Sequence, residues 1–190
     1  MRRAELEHAI RAATEIIAED QVIVIGSQAI LGSYTEHELP AEATMSVEVD
    51  LAPLTDDDAG TLATLIDGAL GEWSPFHETF GFYVQGVGRE TAVLPAGWEG
   101  RLVAVQGPGT SGHVGLCLDP HDLCVAKLAA AREKDFRFVG ALVDAELVQP
   151  DTIAERARAL PQSRARTRAS IERWVAAQRP KPRRPPGVDL

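Results

Sequence analysis

Two acidic side chains stand two residues apart in an alternating segment of the chain. Residues 47–51 read Val-Glu-Val-Asp-Leu. A β-strand places successive side chains on opposite faces, so Glu48 and Asp50 would share one face and the apolar side chains the other. Paired carboxylates are oxygen ligands of the kind that Mg²⁺ or Mn²⁺ prefers, although such pairs are also common on solvated strand edges. The segment is a candidate divalent-cation site.

A glycine and a serine follow directly after an apolar segment. Residues 22–25 read Val-Ile-Val-Ile, a β-branched run that is typical of a strand covered on both faces. Gly26 would let the backbone approach a phosphate closely, and the hydroxyl of Ser27, with the amides after it, would donate hydrogen bonds to that phosphate. A short helical pattern over residues 28–31 follows. We interpret this strand, turn and helix as a candidate phosphate-binding unit.

Together the two segments resemble the signature of the nucleotidyltransferase superfamily. That signature is a strand, a Gly-Ser or Gly-Gly pair, a short helix and a strand that bears two acids separated by one residue. The resemblance implies that Glu48 and Asp50 hold Mg²⁺ or Mn²⁺, and that Gly26 and Ser27 bind the phosphates of a nucleoside triphosphate (NTP). It also implies transfer of a nucleotidyl or phosphoryl group from the NTP to an RNA or protein acceptor.

Three features depart from that signature. Twenty residues separate Ser27 from Glu48, which is longer than the usual gap, and the first acid is Glu where Asp is commoner. The superfamily also has a third carboxylate on a later strand, and the candidate here is Glu90, which is equally compatible with an acid in a turn. These departures leave open a second hypothesis, in which a catalytically inactive protein of the same fold acts as an antitoxin, a regulator or a nucleotide sensor.

A lysine is predicted on the apolar face of a later helix. Asp119 followed by Pro120 is typical of a helix start, and a helical pattern continues over residues 123–145. Lys127 would emerge from the apolar face of that helix, where an ammonium group needs an anionic partner. The lysine would then contact a ligand, extend to the surface or pair with Asp135.

The sequence around this lysine resembles the carboxy-terminal motif of abortive-infection type nucleotidyltransferase toxins and their small, uncharacterised bacterial relatives. The resemblance implies that Lys127 contacts a nucleotide phosphate, and that Asp135 orients the lysine or assists proton transfer. Arg132 and Lys134 would complete the phosphate contacts, although one unbroken helix would point Arg132 well away from Lys127. A toxin of this kind would have a cognate antitoxin as its partner.

Periodicity predicts the elements that position these residues. Helical and alternating patterns occur along the chain, which predicts an α/β (α+β) fold with a mixed sheet of four to six strands, flanking helices and a carboxy-terminal helical segment. We expect a first helix over residues 4–18, a hairpin formed by residues 80–87 and 91–94, and a strand over residues 101–105. Residues 107–115 are rich in glycine but lack the Gly-Lys pair of a P-loop, so they predict a flexible loop.

Charge and composition divide the chain into three predicted units. We assign residues 1–148 to a nucleotidyltransferase-like domain, residues 149–178 to a helical extension and residues 179–190 to a disordered, basic, proline-rich tail. The formal net charge is −9, but residues 151–190 hold ten Lys or Arg against four acids, so residues 1–150 carry −15. The acidic body argues against general affinity for nucleic acid, whereas the tail leaves open a third hypothesis, RNA binding led by its basic residues.

Cysteine content and hydropathy bear on the compartment. The two cysteines, Cys117 and Cys124, indicate buried, reduced thiols, and their spacing with the neighbouring histidines matches no common zinc site. No segment of the sequence approaches the roughly 20 uninterrupted apolar residues that cross a bilayer. We therefore predict a cytoplasmic protein that makes no membrane contact.

Overall fold

A computed structural model of the protein describes residues 1–57 and 60–178. Over those residues the chain forms five β-strands and eight α-helices. In chain order they are α1 Arg3–Ile17, β1 Gln21–Val24, α2 Ala41–Thr44, β2 Glu48–Pro53, α3 Thr61–Leu70, α4 Pro75–Phe80, β3 Tyr83–Gly86, β4 Val103–Val105, β5 Val114–Cys117, α5 Pro120–Ala130, α6 Glu133–Asp144, α7 Pro150–Arg158 and α8 Ala165–Gln178. A 3₁₀ helix, Ser27–Gly32, follows β1. The tail predicted at residues 179–190 lies outside the described residues.

The strands form one mixed sheet in the order β3-β2-β1-β5-β4. β1 is antiparallel to β2 and parallel to β5, β3 is parallel to β2, and β4 is antiparallel to β5. Helix α1 packs against β1, β2 and β5, and α3 packs against β3. The predicted fold class is confirmed, because a mixed sheet of five strands is flanked by helices and followed by a carboxy-terminal helical segment.

Helix α1 shows how apolar periodicity builds the core beneath the sheet. Leu6, Ile10 and Ala13 are fully buried and recur at helical spacing. Burying a leucine or isoleucine side chain stabilises a fold by roughly 1.5–3 kcal/mol. Gly115 of β5 leaves open the space that the Ile10 side chain occupies, so helix and sheet approach closely. Helix α1 thus begins and ends within one residue of the predicted bounds.

The prediction of a hairpin formed by residues 80–87 and 91–94 is wrong. Only Tyr83–Gly86 forms a strand in this region, and it pairs in parallel with β2. The chain then turns through a short 3₁₀ helix at Arg89–Thr91. Alternation of side chains indicates a strand but not its partner. Here α3 and α4 form the crossover that a parallel neighbour requires.

The prediction of a flexible loop at residues 107–115 is wrong for part of that segment. Pro108–Thr110 is a short 3₁₀ helix, and β5 begins at Val114. The buried hydroxyl of Thr110 donates to the carbonyl oxygen of His113 at 2.6 Å, which fixes the approach to the strand. The glycine content of this segment predicted a loop, but its last residues begin β5, which lies between β1 and β4 in the sheet.

The single long helix predicted over residues 123–145 is two helices, α5 and α6. Ala131 has a φ of 56°, in the left-handed region, and its N–H donates to the carbonyl oxygen of Lys127 at 3.1 Å, which closes α5. Arg132 is extended and caps the start of α6. The apolar pattern is helical on both sides of the break, so periodicity does not reveal it.

The carboxy-terminal helices pack onto the rest of the fold through α5. Ile153 and Ala157 of α7 and Ile171 of α8 are buried, and both helices contact α5. The thiols of Cys117 and Cys124 are free and buried, as predicted. Within the described residues, no helix has the length and apolar character that crossing a membrane requires.

Candidate functional site

The end of β1 brings a glycine against the acidic strand. The N–H of Ile25 donates to the carbonyl oxygen of Asp50 at 3.0 Å, which extends the pairing of β1 with β2. Gly26 comes next, and a Cβ at this position would overlap the carboxylate of Asp50. The lack of a side chain at Gly26 therefore allows the Asp50 carboxylate to lie against the turn.

The two acids of β2 face a cavity. Val49 and Leu51 are fully buried on one face of the strand, whereas Glu48 and Asp50 are half-buried on the other face and line the cavity. The cavity volume is approximately 760 Å³, which is within the range of small-molecule sites. The common direction of the two carboxylates follows from the alternation seen in the sequence.

Apart from Glu90, the candidate for a third carboxylate, all eight residues proposed from sequence for the site line this one cavity. They come from the end of β1, from β2, and from α5 and the start of α6. They are Gly26, Ser27, Glu48, Asp50, Lys127, Arg132, Lys134 and Asp135. The fold brings these residues together, while their roles in binding and catalysis stay predictions.

Lys127 is buried in the α5 wall of the cavity. Its side chain is only 10% exposed, so the alternative in which it extends to the surface is wrong. The Nζ atom lies 3.6 Å from Oδ1 of Asp135 and 5.6 Å from the ring centroid of Phe138. The lysine therefore pairs with Asp135 and lines the cavity at the same time.

The break between α5 and α6 redirects Arg132. Its Nε and Nη2 atoms donate to Oδ2 and Oδ1 of Asp135 at 2.7 and 3.2 Å, a two-pronged ion pair with a carboxylate that is only 1% exposed. The expectation that Arg132 points well away from Lys127 is wrong, because it assumed one unbroken helix. Asp135 is instead shared between the two cations.

Burial and neighbouring charges shift the pKa values in the cavity. Burial, and then the charge of Glu48, raises the pKa of Asp50, against the opposing charge of Lys127. Burial also lowers the pKa of Lys127, against the charges of Asp135 and Asp50. Burial alone would raise the pKa of Asp135, but the hydrogen bond from Arg132 and the charges of both cations outweigh it and lower that pKa. Neighbouring cations thus offset the cost of burying the Asp135 charge, but they do not offset the cost of burying the Asp50 charge.

The sequence as a whole also matches a known family. Residues 4–165 match the profile of a family described as "Nucleotidyltransferase of unknown function (DUF6036)". The chain belongs to this nucleotidyltransferase family. The DUF6036 match includes all eight of the cavity residues proposed from sequence, and it confirms the resemblance at the level of the family. No curated protein and no solved structure matches the chain significantly.

The donor atoms in this DUF6036 protein fit a divalent cation. Glu48 and Asp50 present carboxylates from one face of β2, and their repulsion, which contributes to the raised pKa of Asp50, would be relieved by a cation. Within residues 1–57 and 60–178, no group of three or more His, Cys, Asp or Glu side chains is arranged to hold a metal ion. Among these described residues, a third protein ligand would therefore have to be of another type.

Glu90, the candidate for a third carboxylate, lies elsewhere in this nucleotidyltransferase-family protein. It belongs to the 3₁₀ helix Arg89–Thr91 and lines a second cavity, of approximately 480 Å³, together with Asp56. Glu90 does not line the cavity that holds Glu48 and Asp50. The reading of Glu90 as an acid in a turn agrees with this position.

Sequence reasoning missed five polar residues of the main cavity. Two of them have signals that become useful only with the tertiary structure. Gln85 alternates with a buried valine on β3, but its position beside Asp50 depends on the parallel register. Arg137 lies on α6, whose direction depends on the helix break. The five missed residues are Glu42, Ser46, Gln85, Thr91 and Arg137.

Proposed function

We propose that the protein is a Mg²⁺-dependent nucleotidyltransferase that transfers a nucleotidyl or related phosphoryl group from an NTP to an RNA or protein acceptor. Mn²⁺ would serve in place of Mg²⁺. One observation carries the proposal: in a chain of a nucleotidyltransferase family, the Gly-Ser turn, the acids of β2 and the cations of α5 and α6 line a single cavity. Acidic and basic groups come from different elements, an arrangement that suits a cation and the phosphates it accompanies.

The first group of residues would hold the metal and the phosphates. Glu48 and Asp50 would hold the cation, which would supply positive charge to offset the negative charge of the NTP phosphates. Gly26 offers a close backbone approach, and Ser27 offers a hydroxyl and an amide at the start of the 3₁₀ helix. These assignments use the cavity position of each residue and the chemistry of its donor atoms.

The second group would stabilise negative charge. In nucleotidyl transfer the acceptor hydroxyl oxygen attacks the α-phosphorus and its proton passes to water, the bond from that phosphorus to the bridging oxygen breaks, and pyrophosphate leaves. Lys127 would stabilise the charge that develops on the phosphoryl oxygens, with Arg132 and Lys134 contacting the other phosphates. Asp135 holds Lys127 and Arg132 in place. Its lowered pKa makes it a weak base, which favours orientation over proton transfer.

A second candidate function rests on the acids. Within the described residues, no three acidic side chains are arranged to hold a metal ion together, which favours a protein that binds a nucleotide without transferring it. Such a protein would act as an antitoxin, a regulator or a nucleotide sensor. The toxin–antitoxin connection, and a cognate antitoxin as partner, stay predictions in either case.

Labelled-phosphate transfer separates the two candidates. The protein is incubated with each NTP labelled at the α-phosphate, and in parallel at the γ-phosphate, with Mg²⁺ and either total RNA or total protein as acceptor. We expect label from one NTP to appear on one acceptor class. Asp50→Ala should reduce transfer to background because it removes a proposed ligand. Asp144→Ala, an exposed aspartate at the end of α6, is the matched control and should leave transfer unchanged.

Each result has a definite meaning. Transfer that Asp50→Ala does not reduce would refute the assignment of the site. Metal-dependent NTP binding that is lost in Asp50→Ala, without transfer to either acceptor, would replace the enzyme by the nucleotide-binding protein.

A further inference from the structure

The parallel register of β2 and β3 places two uncharged side chains beside the two acids. Tyr83 lies beside Glu48, and Gln85 lies beside Asp50. Side chains of directly opposed residues in neighbouring strands project from the same face of a sheet. All four therefore belong to one face, and Gln85 lines the same cavity as Glu48 and Asp50.

Gln85 is available to a ligand on that face. Its side chain is exposed to the cavity, whereas Val84, the next residue on the strand, is fully buried on the opposite face. Neighbouring strands of a sheet lie about 4.7–4.9 Å apart, and the glutamine is one methylene longer than the aspartate beside it. Its amide oxygen can therefore reach an ion held by the Asp50 carboxylate. Side-chain amide oxygens are ordinary ligands of hard divalent cations.

We propose that Gln85 supplies the third protein oxygen to the divalent cation held by Glu48 and Asp50. This inference rests on the proposed function, since it assigns a further ligand to the same site. Among the described residues, no third His, Cys, Asp or Glu is arranged with Glu48 and Asp50 to hold a metal ion, and Gln85 would supply the missing oxygen. The donor set then carries a charge of −2, which one divalent cation neutralises.

The geometry also explains why the third ligand is neutral. Glu48 and Asp50 already face the same cavity, so a third carboxylate beside them would add repulsion between like charges in the metal-free protein. An amide contributes an oxygen without that cost. The glutamine is thus compatible with a folded cavity both before and after a cation binds.

Mn²⁺ alone, without nucleotide, is the probe that tests this inference. Affinity is measured by calorimetry on the full chain, and the coordination of the ion by electron spin-echo spectroscopy. We expect Gln85→Met, which keeps the length of the side chain and removes the oxygen, to weaken Mn²⁺ binding about tenfold. Gln162→Met, an exposed glutamine in the 3₁₀ helix Gln162–Arg164, is the matched control and should bind as the unmodified protein does.

Gln85→His distinguishes direct coordination from a general effect on the cavity. An imidazole nitrogen at this position should become a ligand of Mn²⁺ and produce nitrogen modulation of the spin echo, which the unmodified protein lacks. The absence of that modulation, or a Gln85→Met affinity equal to that of the Gln162→Met control, would overturn the role of Gln85. Thermal unfolding of each variant shows whether it is folded.

Asp50→Ala separates the failure of this inference from the failure of the proposed function. If Mn²⁺ binding is lost in Asp50→Ala but both Gln85 variants behave as the controls do, the acidic site stands and Gln85 is not its ligand. If the unmodified protein binds no Mn²⁺, or Asp50→Ala binds it equally well, the metal site itself is wrong and the inference falls with it.

Discussion

At the scale of single residues, the site depends on the approach of the Asp50 carboxylate to Gly26. The two belong to antiparallel neighbouring strands and their extensions, so they are close in space although distant in sequence. A side chain at Gly26 would occupy the position of the carboxylate. The glycine is therefore required by the acid as well as by any phosphate that binds the turn.

We predict that Gly26→Ala displaces the Asp50 carboxylate. Mn²⁺ affinity should fall by at least about tenfold, in line with the effect of misplacing metal ligands. The overlap should also cost roughly 1–3 kcal/mol of unfolding free energy, as is typical of overpacking. Calorimetry with Mn²⁺ and urea unfolding measure the two effects.

Gly68→Ala is the control for this substitution. Gly68 lies within α3, where a Cβ would meet no heavy atom within 4 Å. Alanine there should stabilise the helix by roughly 0.5–1 kcal/mol and leave Mn²⁺ affinity unchanged. A Gly26→Ala protein that binds Mn²⁺ as tightly as the Gly68→Ala control would contradict the packing described for Asp50.

At the scale of elements, the break between α5 and α6 assembles the basic side of the site. If the helix continued through Ala131, Arg132 would lie on a different face from Lys127. Ala131 is left-handed and Arg132 is extended, so α6 takes a new direction. Asp135 at the start of α6 therefore contacts both cations. The acid also caps α6 by accepting the backbone N–H of Arg132 at 3.3 Å.

The left-handed conformation at Ala131 should lower the free energy of unfolding by a measurable amount. For a residue with a Cβ this conformation is less stable by roughly 1–2 kcal/mol, and glycine adopts it freely. We therefore predict that Ala131→Gly raises the free energy of unfolding by about 1 kcal/mol, measured by urea unfolding.

Ala129→Gly provides the contrast, because Ala129 lies within the last turns of α5. Glycine there should lower the free energy of unfolding by about 1 kcal/mol. Equal destabilisation by both substitutions would show that Ala131 is helical and that the break lies elsewhere.

At the scale of the whole molecule, one buried carboxylate joins three distant parts of the chain. Asp122 of α5 accepts hydrogen bonds from Nε and Nη2 of Arg101, which precedes β4, at 2.7 and 3.1 Å. Nε of Arg156, on α7, lies 3.5 Å from the same carboxylate. Burial raises the pKa of Asp122 even though Arg101 opposes the shift, so keeping this charge inside is costly.

We predict that Asp122→Ala lowers the free energy of unfolding by about 3 kcal/mol, because it leaves two partly buried arginines without their acid. The exposed pair of Glu172 with Arg158 is the control, and Glu172→Ala should cost less than about 1 kcal/mol. Urea unfolding compares the two. Equal effects would mean that the network around Asp122 does not hold α7 to the sheet.

Local periodicity in the sequence was enough to predict the parts of the site that lie within one element. Alternation placed Glu48 and Asp50 on one face of a strand, and the β-branched run before Gly26 marked a buried strand. The cap at Asp119 is present too, with its carboxylate accepting the N–H of His121 at 2.9 Å. These features concern residues within a few positions of one another, where backbone geometry alone fixes which side chains share a face.

The features that depend on which elements pack together became visible only in the folded structure. The parallel register set Gln85 beside Asp50, and the position of the 3₁₀ helix Arg89–Thr91 set Glu90 in a different cavity. The left-handed residue Ala131 turned Arg132 toward Asp135. Strand partners and helix breaks are chosen by contacts between residues far apart in the chain, and those contacts leave no period in the sequence.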